Sequence, residues 1–120
     1  MSFGTVLTEL REERGMYQKE LATYLKISVG TISNYEKDRH FPDQATLCKI
    51  ADFFHVSTDY LLGRTRYRYN PELLKHPLTD NYTIADLVNT SLELSPKHKY
   101  RLAEYTELLK LKERTMSSGQ

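Results

Sequence analysis

The 120-residue sequence predicts an all-α protein. Apolar residues recur at helical spacing in successive short segments, and residues that favour helix ends separate those segments. In addition, no alternating run of apolar and polar residues reaches the length of a strand. We therefore expect five short helices over residues 1–63, a linker over 64–82, a helical hairpin over 83–115 and a frayed tail over 116–120.

Each helix of residues 1–63 has its own start or stop signal. Ser2 is a suitable N-cap for the first helix, and Gly15 ends it. Ser28 caps the third helix, which runs from Val29 to about Lys37. The second helix is predicted to begin near Gln18, the fourth to follow Pro42 and Asp43, and the fifth to run from Thr58 to Leu62 between Ser57 and Gly63.

Two further amphipathic segments follow the linker. The first begins near Ile84, and the second follows Ser95 and Pro96, an N-cap with proline at the first helical position. Such a hairpin is too small to hide its own apolar face, so we expect two copies to pair. Packing onto the fourth and fifth helices is the alternative. The expected dimerisation residues are Leu87, Leu102, Tyr105, Leu108 and Leu109.

Composition limits the classes of partner and compartment. The net charge is +1, and residues 1–63 carry seven bases against nine acids, which gives −2, so bulk charge does not predict binding to a polyanion. The single cysteine, Cys48, cannot form an internal disulfide, and we expect it to be buried or half-buried. No apolar run approaches the roughly 20 residues of a membrane span. We expect a soluble, cytoplasmic protein without a membrane partner.

No group of residues suggests catalysis or a bound cofactor. The histidines lie in different predicted elements and lack metal-ligand spacing. No Ser/His/Asp set, pair of carboxylates or glycine-rich phosphate loop is apparent. We therefore expect neither an enzyme, nor a metal site, nor a cofactor.

Residues 18–36 have the pattern of two short helices that cross at a tight turn. Ala22 is the small residue that such a crossing requires, and apolar residues surround it at suitable intervals. The second helix keeps small or polar residues on its outer face, as a helix entering the major groove must. The inward residues are Leu21, Leu25, Ile27, Ile32 and Tyr35, and the outward ones are Val29, Gly30, Thr31, Ser33 and Asn34.

Further segments extend the pattern from Phe3 to Gly63. They read Leu-Arg-Glu-Glu-Arg-Gly, Gln-Lys-Glu-Leu-Ala, Ile-Ser-Val-Gly-Thr-Ile-Ser-Asn-Tyr-Glu, Thr-Leu-Cys-Lys-Ile-Ala-Asp-Phe-Phe and Val-Ser-Thr-Asp-Tyr-Leu-Leu-Gly. In these segments the chain resembles the Xre/Cro-like family of phage-repressor-type regulators. The resemblance implies a five-helix repressor-like domain, double-stranded DNA as the partner, and transcription regulation as the function.

The resemblance also implies individual roles. Gln18 is expected to hold a phosphate and Asn34 to face base edges or a phosphate. Arg11 is expected to form a structural ion pair with Glu36. The residues implied for DNA binding are Gln18, Ser28, Val29, Gly30, Thr31, Ser33, Asn34, Lys37, Arg39 and His40.

Three positions depart from what the resemblance implies. Lys26 stands in the turn where glycine is common, so we expect it to adopt a positive φ. Tyr17 replaces the usual Ser or Thr cap, which predicts a less sharp start of the second helix. Gly30 offers no side chain on the reading face, so DNA shape is expected to supply part of the specificity.

Two functional interpretations follow for the C-terminal third. Its run Leu-Ser-Pro-Lys-His-Lys-Tyr-Arg-Leu-Ala-Glu-Tyr is similar to the C-terminal hairpins of SinR-like regulators, which implies self-association or binding of a regulatory protein. The first interpretation is a dimeric repressor on an operator with two half-sites. The alternative is an antitoxin-type regulator whose C-terminal helices bind a partner protein. The arginines and tyrosines of 64–69 form either a second DNA contact or a solvated linker.

Overall fold

A computed structural model of the chain describes residues 1–118 and divides it into two units, Met1–Leu73 and a second that begins at Leu74. Seven α-helices dominate the described residues, so the predicted all-α class is confirmed, with a small sheet added. The helices are α1 (Phe3–Glu13), α2 (Gln18–Leu25), α3 (Val29–Glu36), α4 (Gln44–Phe54), α5 (Thr58–Leu61), α6 (Ile84–Glu93) and α7 (Pro96–Ser118).

Short polar side chains begin four of the five helices in the first unit. Each accepts a hydrogen bond from the backbone N–H three residues further on, which satisfies a donor that has no partner within the helix. Helix α2 lacks such a cap. Instead, the Glu20 carboxylate accepts from the Tyr17 backbone N–H at 2.9 Å, and the helix begins at Gln18. The four capping residues are Ser2, Ser28, Asp43 and Ser57.

Three residues other than glycine adopt positive φ in the described chain. Lys26 has φ of 60°, so the prediction for the α2–α3 turn is confirmed. Asp38 (φ 58°) and His55 (φ 56°) were not predicted. Lys26 and His55 end α2 and α4 in the left-handed conformation, which glycine adopts at less cost.

The core of the first unit lies where α1 to α5 face one another. Predicted core residues Ala22 and Tyr35 are buried there, whereas Ile27 and Leu47 are only partly buried. The expectation for Cys48 is wrong, because its side chain is exposed. Cys48 follows Leu47 directly, so the turn of α4 carries it off the inward face. The most completely buried large side chains are Leu7, Leu21, Leu25, Ile32, Ile50 and Leu61.

The segment predicted as a linker contains short regular elements. Asn70 accepts a hydrogen bond from the Glu72 N–H at 2.9 Å, and a 3₁₀ helix occupies Pro71–Lys75. Strands β1 (Pro77–Thr79) and β2 (Tyr82–Thr83) pair antiparallel, with an irregular register between Pro77 and Thr79. Strands of two or three residues are too short to show an alternating pattern, which explains why the sequence did not predict them.

In the second unit, Thr83 and Asp86 form a reciprocal cap at the start of α6. Ser95 accepts from the His98 N–H at 3.4 Å at the start of α7. Helix α7 extends through Ser118, three residues beyond the predicted end of the hairpin, and residues 119–120 of the predicted tail lie outside the described residues.

None of residues 74–117 is buried. No helix within residues 1–118 is long and apolar enough to cross a membrane.

Candidate nucleic-acid interface

Helices α2 and α3 pack against each other around a three-residue turn. The Ile27 N–H donates to the Ala22 carbonyl at 3.0 Å, and Ala22 itself is buried at the crossing. Ile32 is fully buried on the inner side of α3, whereas 44% of Val29 is exposed at its start. The crossing therefore fixes α3 by its inner side and leaves its outer side accessible.

The outer side of α3 carries hydroxyls and an amide. The Ser28 and Thr31 hydroxyls lie 2.7 Å apart, and the Ser28 Oγ accepts from the Thr31 backbone N–H at 3.0 Å. Ser33 and Asn34 are half-buried. Within residues 1–118, the Asn34 side-chain amide makes no internal hydrogen bond, so its donor and acceptor are available to a ligand. An amide with both groups available can bond an adenine edge through two hydrogen bonds.

Gly30 leaves an open position on this side of α3. A Cβ placed there would have the Ser28 Oγ, 3.8 Å away, as its nearest neighbour, so alanine fits without strain. Because glycine destabilises a helix relative to alanine, we expect Gly30→Ala to raise the free energy of unfolding by about 0.5–1 kcal/mol. Urea denaturation followed by circular dichroism measures this change. A destabilised variant would contradict the expectation.

A hydrogen-bonded group of three side chains joins α1, α2 and α3. The Arg11 Nε and Nη2 donate to the two carboxylate oxygens of Glu36 at 2.7 and 3.1 Å, so the expected pair is present and bidentate. The Arg11 Nη1 also donates to the Met16 carbonyl at 2.7 Å. Gln18 Nε2 donates to Glu36 Oε1 at 2.9 Å. This last bond was not predicted, and it fixes the amide at the start of α2.

The charge of Glu36 is held by these contacts. Burial disfavours the ionised carboxyl, but the hydrogen bonds from Arg11 and Gln18, together with the positive charge of Arg11, outweigh it. The pKa of Glu36 therefore lies below its ordinary value of 4.5. Glu36 is accordingly a carboxylate at neutral pH, and it orients Gln18 without titrating there.

The loop after α3 carries three side chains that are predicted to contact the DNA backbone. Lys37, Arg39 and His40 are exposed, and no ion pair within residues 1–118 involves them. The Asn34 carbonyl accepts from the backbone N–H groups of Arg39 at 2.9 Å and His40 at 3.4 Å. The loop is thus fixed to the last turn of α3 through its backbone, while its side chains face solvent.

The arginines that follow α5 behave differently. Arg68 Nη2 donates to both carboxylate oxygens of Glu13, at 3.0 and 3.2 Å, and its guanidinium lies 5.3 Å from the centre of the Tyr60 ring. Arg64 Nε lies 3.5 Å from the Asp59 carboxylate. Both guanidiniums contact the protein's own surface. These contacts hold Arg64 and Arg68 on their own domain, an arrangement that neither interpretation of 64–69, a second DNA contact or a solvated linker, included.

The residues expected to mediate dimerisation differ in exposure. Tyr105, Leu108 and Leu109 on α7 are exposed by 61%, 57% and 43%, whereas Leu87 and Leu102 are half-buried.

Among the described residues, no group of histidine, cysteine and acidic side chains could hold a metal ion.

Comparison with known proteins identifies the family. Residues 7–61 match the helix-turn-helix family. The chain is also 32% identical over 106 residues to the HTH-type transcriptional repressor RghR of Bacillus subtilis (strain 168), covering 82% of this chain and 78% of RghR. The chain is an Xre/Cro-like helix-turn-helix transcriptional regulator. It is therefore a DNA-binding protein and not an enzyme.

Two other comparisons give a sequence relative and a solved structure of similar fold for this Xre/Cro-like regulator. Over 64 residues it is 48% identical to the HTH-type transcriptional regulator ImmR of Bacillus subtilis (strain 168), covering 53% of this chain. The chain spans half the length of ImmR in that match. A transcriptional regulator from Listeria innocua matches with a TM-score of 0.52 and 18% identity, over 92% of this chain and 94% of that one. At this identity the likeness shows a shared fold.

Proposed function

We propose that the chain is a sequence-specific repressor that inserts α3 into the major groove and acts as a dimer on an operator with two half-sites. The observation that carries the proposal is the outer side of α3, which is accessible and holds an amide without an internal partner. The cationic side chains of Lys37 and Arg39 follow α3 in the chain. The amide of Gln18, which Glu36 holds in place, begins the preceding helix. Together they supply groups for both bases and phosphates.

The groups divide by the part of DNA that they suit. Asn34 suits a base edge, and Val29 and Thr31 offer methyl groups to thymine. Gln18 keeps a second amide N–H for a phosphate while its first is held by Glu36 at 2.9 Å. The remaining groups in the proposed interface are the hydroxyls of Ser28 and Ser33, the backbone of Gly30, and the side chains of Lys37, Arg39 and His40.

Repression is supported by the likeness to RghR, which is named a transcriptional repressor. The likeness covers 82% of this chain and therefore reaches beyond the helix-turn-helix domain into the second unit. A relative that shares both units is a better guide to the direction of regulation than one that shares the DNA-binding domain alone.

Pairing is supported by the second unit. Two reading helices must lie about 34 Å apart to contact successive major grooves on one face of DNA. Residues 74–117 bury no side chain of their own, and α7 exposes Tyr105, Leu108 and Leu109. Apolar side chains in such number favour association with a second copy, which covers them from water.

A binding titration tests sequence specificity. Gel-shift titrations would compare the duplex upstream of the chain's own gene with an unrelated duplex of equal length. We expect the upstream duplex to bind at least about 1,000-fold more tightly, with Asn34→Ala losing most of that ratio. Lys19→Ala, on the exposed surface of α2, is the control. Equal and strongly salt-dependent binding to both duplexes would contradict the repressor.

Sedimentation equilibrium tests the assignment of dimerisation to the second unit. All buried hydrophobic residues of 1–117 lie within 3–61, so a chain of residues 1–73 keeps its core. We expect the full chain to be a dimer and the 1–73 chain to be a monomer. Leu109→Lys is expected to weaken the dimer, whereas Ala103→Lys, exposed on another side of the same helix, serves as the control.

Two results would oppose the dimer. A 1–73 chain that pairs as tightly as the full chain would move the interface into the DNA-binding domain. A full chain that remains monomeric would remove the homodimer altogether and favour the antitoxin-type alternative, in which α7 binds a partner protein.

A further inference from the structure

Asp38 joins the loop after α3 to the start of α1. Its Oδ1 accepts a hydrogen bond from the Gly4 backbone N–H at 2.9 Å, across 34 positions of sequence. Gly4 lies in the first turn of α1, where backbone N–H groups have no helical partner. Ser2 satisfies the neighbouring donor, because its Oγ accepts from the Thr5 N–H at 3.2 Å. Asp38 and Ser2 thus cap the same helix end from different parts of the chain.

The hydrogen bond between Asp38 and Gly4 restricts which residue types can occupy both positions. Asp38 has φ of 58°, a conformation that glycine and, less readily, Asp or Asn adopt. At Gly4, a Cβ would lie 2.4 Å from the Glu36 carbonyl oxygen, so only glycine allows the end of α3 to approach this closely. The positive φ of Asp38 therefore sets the direction in which the loop leaves α3, and the hydrogen bond to Gly4 holds the loop against α1.

Asp38 also stands between two of the exposed cations. Its carboxylate bonds to Gly4 N–H, and within residues 1–118 it forms no ion pair with Lys37 or Arg39. A carboxylate at the positive end of a helix dipole is favourably placed. The negative charge of Asp38 therefore lies at the start of α1, and the positive charges of Lys37 and Arg39 remain available to an external anion.

We propose that Asp38 is a positioning residue for DNA binding, which holds the loop of Lys37, Arg39 and His40 against α1 so that its cations meet the phosphate backbone. This inference rests on the proposed contact between that loop and DNA. It assigns to Asp38 an indirect role, since the residue itself bears the charge that phosphates repel. A carboxylate in the centre of a phosphate-binding loop is then compatible with affinity, because it accepts a hydrogen bond from the positive end of α1.

The salt dependence of DNA binding separates positioning from stability. The logarithm of the binding constant falls linearly with the logarithm of salt concentration, with a slope of about −0.9 per phosphate contact. Fluorescence anisotropy with the full chain and a labelled 20-base-pair duplex of random sequence measures this slope without an identified operator.

Three substitutions at two positions give the comparison. We expect Asp38→Gly, which tolerates the positive φ but lacks the carboxylate, to reduce the slope by about 1 or more, with weaker binding. Asp38→Asn keeps an acceptor oxygen and should restore most of the wild-type slope. Ser2→Ala removes the other cap of the same helix end, lowers stability, and should leave the slope unchanged.

Arg39→Ala separates failure of this inference from failure of the proposed function. If Arg39→Ala and Asp38→Gly both keep the wild-type slope, the loop does not contact phosphate and both proposals fail. If Arg39→Ala reduces the slope and Asp38→Gly does not, the loop contacts DNA and only the positioning role fails. An Asp38→Gly slope reduced no more than that of Ser2→Ala would likewise overturn the positioning role. Circular dichroism at the assay temperature confirms that each variant is folded.

Discussion

Gly4→Ala is expected to destabilise the first unit by about 3 kcal/mol or more and to weaken DNA binding, because the end of α3 must shift. The added Cβ would lie 2.4 Å from the Glu36 carbonyl oxygen and 2.7 Å from that of Tyr35. Both neighbours are backbone atoms at the end of α3, so they cannot move aside as a flexible side chain would. Overpacking of a close contact costs about 1–3 kcal/mol and more where the backbone must shift. A domain stabilised by about 5–15 kcal/mol loses much of its margin.

Gly30→Ala is the matched control, because it makes the same change in a helix of the same unit. There the Cβ meets nothing closer than 3.8 Å, so the two substitutions should alter stability in opposite directions. Urea denaturation of both full-chain variants measures the difference. If Gly4→Ala were as stable as the unsubstituted chain, α1 and α3 would not approach as closely as the structure has them.

Glu36→Ala is the second large effect, with an expected loss of about 3–5 kcal/mol of unfolding free energy. The side chains of Glu36 and Arg11 are only 6% and 13% exposed, so the substitution leaves a guanidinium away from water without its partner. It also removes the acceptor of Gln18 Nε2. DNA binding should weaken beyond what the loss of stability explains, since the Gln18 amide is no longer fixed.

The control for the buried ion pair of Arg11 and Glu36 is a solvent-exposed ion pair, in which water screens the attraction between the charges. Arg64 and Asp59 lie 3.5 Å apart with side chains 73% and 64% exposed, so Arg64→Ala should change stability by less than about 1 kcal/mol. Comparable losses in Arg64→Ala and Glu36→Ala would contradict the difference in burial on which the prediction depends.

Acidic pH should reduce the effect of Glu36→Ala. The pKa of Glu36 is lowered in the folded chain from its ordinary value of 4.5, so its ionisation contributes stability that is fully present above pH 4.5. That contribution is lost as the pH falls below 4.5 and through the lower folded pKa. Urea denaturation at pH 7 and pH 3 should therefore show the difference between the unsubstituted chain and Glu36→Ala becoming smaller in acid.

Local signals predicted most of the first unit. Ser28 and Ser57 cap helices where the sequence places them, because an N-cap contact spans only three residues and depends on one short side chain. Lys26 adopts positive φ, as expected from its place in a turn where glycine is common in the family. The ion pair of Arg11 and Glu36 was expected only through the resemblance to a family, since no local pattern joins residues 25 positions apart.

Long-range contacts account for what the sequence did not predict. The hydrogen bond between Gly4 and Asp38 depends on how α1 and α3 approach, which a linear pattern does not contain. The hydrogen bond from Gln18 to Glu36 was missed for the same reason. Each residue was assigned a separate role, Gln18 in phosphate binding and Glu36 in the ion pair with Arg11. The strands β1 and β2 were missed because pairing through backbone atoms of so few residues leaves no trace in side-chain periodicity.

The absence of buried side chains over residues 74–117 has a consequence for the dose response of this regulator. In the proposed dimer, apolar surface on α7 is covered only when two chains meet, so the amount of active species rises with the square of chain concentration while dimers are scarce. Halving the number of chains per cell then reduces operator occupancy about fourfold. A change in synthesis or proteolysis of the chain would therefore act on its target genes more steeply than the change itself.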